Sequence, residues 1–131
     1  MAENSVRKIW GLKTRLLENS LCEIDILKLE KKSKCSWHNH EHKYNRFLLI
    51  MGDVRVNTSL GSHKLEHLVP FDVEPNLFHE FEVKKDSLML EIAFVKEGKI
   101  DPDDIFRVRQ GGKFINGQFL THEEINKQNN L

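Results

Sequence analysis

Apolar and polar residues alternate with a period of two along much of the chain, the spacing of a half-buried β-strand. In Leu21–Glu30, Cys22, Ile24 and Ile26 take one face and the phase then slips at Leu27 and Leu29, predicting a bulged strand or two short ones. Lys31–Lys34 is a turn and Ser36–His40 is extended. The apolar run Arg46–Met51 stops at Gly52-Asp53, and Asp53–Thr58 alternates again, which predicts a hairpin. Leu60–Val69 holds a Gly-Ser turn, Val73–Asn76 is another turn, and Phe78–Val83 and Leu88–Val95 are strands joined by Lys84–Ser87. Asp101–Gln118 is an ordered loop or a set of short strands. Helical signals are confined to the ends. Asn4–Leu17 is one candidate, and Thr121-His122-Glu123-Glu124 reads as an N-cap with a capping-box glutamate. Seven or eight short strands spaced by about eight to twelve residues predict an all-β sandwich or barrel.

The length of 131 residues predicts one domain, 1–131, with a core at about 20–95 and a C-terminal extension over 96–131. Lys+Arg and Asp+Glu each number 20, so net charge gives no reason to expect nucleic acid or an anionic membrane as partner. No apolar run approaches the ~20 residues of a membrane span. The start, MAENSVRKIWGLKTRL, has no apolar signal-peptide stretch, and Cys22 and Cys35 are the only cysteines, so reduced thiols and a cytoplasmic location are expected. A net charge of zero offers little protection against self-association, and a homodimer is expected.

Candidate chemistry sits in CSWHNHEHKYNRFLLIMG, Cys35–Gly52, where His38, His40 and His42 alternate. Alternate residues of a strand share a face, and neutral imidazoles crowded together suit a shared metal ion. His79 opens a later strand and Asn45 follows His40, so two distant strands can bring a third imidazole and an amide to one end of a barrel. Inward parity then runs down Asn45, Phe47, Leu49 and Met51, and down His79, Phe81 and Val83, giving an apolar interior below the polar end. Glu80 and Glu91 have the opposite parity to their inward neighbours and do not read as bases. His63, His67 and His122 read as surface residues, Cys35 as a packed thiol, and Trp37 and Tyr44 as outer-face packing.

This arrangement resembles the cupin superfamily. Its first motif stands here as His38-x-His40-x4-Asn45-x6-Gly52, with Asn45 where a carboxylate is usual. Its second stands as Asn76-x2-His79, with Pro75 one step late. The resemblance implies a cupin-type double-stranded β-helix (a jelly-roll barrel) with short terminal helices. It also implies a divalent transition metal (iron, zinc, manganese or nickel) on His38, His40 and His79, with Asn45 or His42 completing the shell or standing behind it. The tail Leu90–Lys113, with Asp103-Asp104-Ile105-Phe106-Arg107, is similar to the tail of type II mannose-6-phosphate isomerase cupin domains. That implies a small polar ligand, a sugar or sugar phosphate, with Arg107, Arg109 and Lys113 placed to meet a phosphate. A metal-dependent isomerase or epimerase follows. A three-histidine non-haem iron dioxygenase and a non-catalytic binding module that has lost its metal are the alternatives.

Overall fold

The computed structural model describes residues 3–129. Its strands are β1 (Ser5–Lys8), β2 (Gly11–Glu18), β3 (Cys22–Leu29), β4 (Ser33–Lys34), β5 (Trp37–Asn39) and β6 (Tyr44–Thr58). They continue as β7 (Gly61–Lys64), β8 (Phe71–Val73), β9 (His79–Phe94), β10 (Phe106–Arg109), β11 (Gly112–Ile115) and β12 (Gln118–Thr121). One helix, α1 (His122–Asn129), follows. Thr121 and Glu124 exchange side-chain to backbone bonds at its start, which is the expected capping box. No helix among the described residues is long and apolar enough to cross a membrane.

Two long antiparallel strands organise the barrel. The first half of β6 pairs with the second half of β9, and both then bend so that their remaining halves pair on the opposite wall. One wall runs β1, β2, β3, β9, β6, β8. The other joins β7, the far half of β6 and the near half of β9 to β4 and β5, with β11–β12 and β10 extending it. Between the walls lie Leu27, Phe47, Leu49, Val54, Val56, Val83 and Met89, all fully buried. Each such side chain stabilises the fold by about 1.5–3 kcal/mol relative to exposure.

Four sequence expectations change. Arg46–Met51 and Asp53–Thr58 are not a hairpin; they are one strand, β6, carrying register shifts around Met51–Asp53. Inward positions are odd before this bulge (Asn45, Phe47, Leu49) and even after it (Val54, Val56), so Met51 turns out to solvent. Phe78–Val83 and Leu88–Val95 likewise merge into β9. Asn4–Leu17 is not helical but forms β1 and β2, whose own register shift lies between Arg15 and Leu17. Finally, β3 pairs with β9 without a slip. Its inward face is Asp25, Leu27 and Leu29, and the apolar Ile24 and Ile26 on its other face had mimicked a change of phase.

Candidate metal centre

His38 on β5 is the register partner of His79, the first residue of β9. His40 follows β5 directly, and Asn45 starts the inward column of β6. All four side chains are buried. One ring nitrogen from each of His38, His40 and His79 lies within 4.8 Å of the other two.

Each imidazole is oriented from behind. Nδ1–H of His38 donates to the Ser36 carbonyl (2.8 Å), that of His40 to the Asp104 carbonyl (2.7 Å), and that of His79 to the Leu77 carbonyl (2.9 Å). A ring that spends its Nδ1 proton this way presents an Nε2 lone pair at the other end, the usual arrangement behind a metal-bound histidine. Burial, then the neighbouring His79 and His40, pushes His38 down to about 2. Burial foremost takes His79 down to about 4 and also lowers His40. At neutral pH the trio is uncharged and able to accept a cation.

Asn45 Nδ2 lies 3.2 Å from His40 Nε2 and 3.3 Å from His79 Nε2. The amide thus spans two of the lone pairs. Turning it over brings Oδ1 to the same place, an arrangement that suits a cation shared with the rings. Three neutral nitrogens and one neutral amide oxygen fit a divalent transition ion without cancelling its charge.

The backbone explains the motif spacing. Gly52 has φ +108°, and a Cβ there would fall 2.6 Å from Ser87 Cα. Asn76 has φ +69°, a left-handed conformation that asparagine tolerates, and its N–H donates to the His40 carbonyl (2.6 Å), tying the two motifs together. Asp104 closes the site from the C-terminal segment. Its carboxylate accepts the backbone N–H of Glu41 (2.6 Å), His42 (2.9 Å) and Lys43 (3.0 Å). Burial opposes its ionisation, but these three bonds hold it below the ordinary carboxylate range.

His42 does not reach the cluster. Its side chain is 71 % exposed beside Glu41, because the Asp104-bound loop leaves the strand geometry on which the parity rested. His63 stacks on Phe71 at the surface and His67 is exposed, both away from the centre. Cys35 is buried, with Phe81 N–H directed at its sulfur (3.1 Å), and burial raises its pKa above the ordinary thiol range.

A cavity of about 630 Å³ adjoins the centre, lined in part by His38, His40 and Asn45. Its wall is not the apolar interior expected. Lys13, Arg15, Glu23 and Asp25 line it, with Arg15 paired to both acids. Glu91 lines it too, because odd positions of β9 face inward and Leu90 and Ile92 face the other way. The apolar residues on both sides of Glu91 hid this parity in the sequence. Lys43 also faces the cavity and is buried; its parity with Asn45 was the available signal. Glu80 lies on the outer face of β9 but is buried, covered by Arg109 and with Lys34 at 3.8 Å. Of the three expected phosphate contacts, Arg109 is bound to Glu80 and Lys113 to Glu30, and Arg107 alone lines the cavity.

No protein-family model and no curated protein sequence matches this chain significantly. Solved structures do. KdgF from Halomonas sp. superposes with a TM-score of 0.60 at 14 % identity, over 66 % of this chain and 81 % of its own. A point variant of Streptomyces PAC13 with uridine gives 0.67 at 12 % identity, over 84 % of this chain and 88 % of its own. The capsular polysaccharide assembling protein CapF from Staphylococcus aureus gives 0.65 at 17 % identity, over 80 % of this chain but only 31 % of CapF. At these identities the likeness is one of fold.

Proposed function

We propose that this chain, which has the cupin fold, holds a divalent transition-metal ion on His38, His40 and His79 and offers it to a small polar molecule in the adjoining cavity. One observation carries this reading. Three buried imidazoles converge, each with its Nδ1 proton committed to a backbone carbonyl. Asn45 is the fourth group, through its amide oxygen. Iron, zinc, manganese and nickel all suit such a donor set.

The reaction class we favour is isomerisation or epimerisation of a sugar-type substrate. Such an ion, when bound, supplies Lewis-acid polarisation of a carbonyl. The chain must then move a proton next to that carbonyl, and in this reading Glu91 takes that role. Among the described residues no hydrogen bond or ion pair engages its carboxyl, which lines the cavity. Burial, the largest influence, raises its pKa, the direction a general base needs to work near neutrality. The uridine in the PAC13 structure and the polysaccharide named for CapF lend support to a sugar-bearing ligand. A non-haem iron dioxygenase is the second reading, since a three-histidine set also suits oxygen chemistry; the metal found decides between them.

The test is elemental analysis of untagged protein beside His38→Ala and His79→Ala. Near-stoichiometric metal in the wild type that disappears from both variants is the expected result. A wild type that takes up none of the four ions after incubation overturns the metal reading.

A further inference from the structure

The chain as a whole is neutral, but its cavity is not. Six basic side chains line it (Arg7, Lys8, Lys13, Arg15, Lys43 and Arg107) against three acidic ones, Glu23, Asp25 and Glu91. Part of this charge is satisfied internally. Arg15 binds Asp25 and Glu23, Lys13 lies 3.6 Å from Asp25, and Arg7 reaches Glu30 at 3.1 Å. Lys8, Lys43 and Arg107 have no carboxylate within ion-pair distance among the described residues.

Lys43 is the informative one. Lysines are seldom buried to this extent without an acidic partner. Lys43 is 8 % exposed and lines the same cavity as the histidine centre. Its charge acts on both His40 and Glu91, yet it forms a salt bridge with neither Glu91 nor any other described acid. The buried Lys43 and the half-buried Glu91, of opposite sign, therefore face one cavity without pairing. The space between them is of the size and polarity that a bound molecule fills. Lys8 and Arg107 are exposed, and both line the same cavity. Partial desolvation, then the charges of Lys13 and Arg107, depress Lys8, with Glu91 opposing them.

We infer that the cavity is built for a small dianion, a phosphate ester or a dicarboxylate, whose anionic oxygens are held by Lys43, Lys8 and Arg107. The inference rests on the cavity being the ligand site, as proposed above, but not on the ion being present. It also replaces Arg109 and Lys113, which their own acids occupy, with Lys8 and Lys43 as the anion contacts.

The experiment is calorimetric titration of chelator-treated, untagged protein with inorganic phosphate and separately with succinate, in a constant chloride background. Saturable one-to-one binding of at least one anion is expected for the wild type and for Lys99→Met, which alters an exposed lysine outside the cavity. Lys43→Met and the double variant Lys8→Met/Arg107→Met should each weaken it about tenfold or more, the loss expected of a charge-assisted contact. Lys43→Arg should retain most of the affinity. The tighter anion distinguishes phosphate ester from dicarboxylate. If Lys43→Met does not fold, the exposed double variant decides alone. Absence of saturable binding in the wild type, or unchanged affinity in the cavity variants, overturns the inference. Metal uptake measured on the same preparations separates the two readings. Anion binding without metal uptake sinks only the metal centre, and metal uptake without anion binding sinks only the dianion site.

Discussion

Glu91 shows how burial and function pull in opposite directions at a single residue. Its pKa is raised in the fold, chiefly by burial, so the folded chain holds its proton more tightly than the unfolded chain does. Below the ordinary glutamate range both states are protonated and burial of the carboxyl carries no ionisation cost. As the pH rises from the ordinary glutamate range up to the elevated folded-state pKa, the unfolded chain ionises while the folded chain keeps its proton, and stability falls by about 1.4 kcal/mol for each unit of elevation. Glu91→Gln keeps the shape and removes the charge. Thermal unfolding of this variant should therefore occur at higher temperature than wild type at pH 8 and at the same temperature at pH 4, while turnover of an isomerase substrate is lost. Equal melting at both pH values would mean that Glu91 is hydrated in the cavity and ordinary. The four residues His38, His40, Asn45 and His79 were legible in the sequence because alternation and spacing survive in short, regular strands. Glu91 was not, because a charged residue between the apolar Leu90 and Ile92 reads as solvent-facing unless the wall behind it is known to be polar. Lys43 offered only its parity with Asn45 as a signal.

At the level of elements, the bend shared by β6 and β9 brings distant residues to one end of the barrel. His79 pairs with Thr58 at the far end of β6, while Asn45, at its start, pairs with Ala93. Only a fold back across both walls lets Asn45 and His79 meet. The bend depends on Gly52, whose φ of +108° and close approach to Ser87 exclude a side chain. Ser87 in turn donates to the Lys85 carbonyl (2.6 Å) and accepts the Asp53 N–H (3.0 Å), stapling the bulge. Gly52→Ala should lower the free energy of unfolding by about 2–4 kcal/mol in urea denaturation, from backbone strain plus overpacking. A loss below about 0.5 kcal/mol would show that the bulge relaxes freely. The same glycine explains why the hairpin expectation failed. Gly-Asp between two alternating runs is a turn signal, and a bulge uses the same conformational freedom to shift phase without reversing the chain. The error at Asn4–Leu17 has a related source. The bulge between Arg15 and Leu17 breaks a period of two, and the leucines at 12, 16 and 17 then mimic helical spacing.

Across the whole molecule, the chain after Val95 returns over the barrel and ties its open end. β10 pairs with β5, which carries His38, and β11 pairs with β4. Arg109 covers the buried Glu80, and Asp104 gathers the loop of Glu41, His42 and Lys43. Nothing in the local pattern announced this last role, since an aspartate in an acidic turn is ordinary and its partners lie more than 60 residues away. Through its carbonyl Asp104 orients the His40 ring, and through its carboxylate it fixes the backbone that carries Lys43. The proposed metal centre and the proposed anion contact thus share one support. Asp104→Ala leaves three backbone N–H groups of the loop without their acceptor, costing about 1–3 kcal/mol of stability. Loosening the group behind a ligand should also lower metal affinity by about 10–100-fold, measured by competition with a chromophoric chelator. Phosphate binding should weaken in the same variant, because Lys43 moves with the loop. Asp103→Ala, an exposed neighbour whose side chain takes no part in the tie, should change neither. If Asp104→Ala loses stability but binds metal and phosphate as the wild type does, the C-terminal segment only covers the barrel end and the loop is held by β5 and β6 alone. Joint loss of both affinities would show that a residue far along the chain sets the geometry of a site whose ligands the sequence had already grouped.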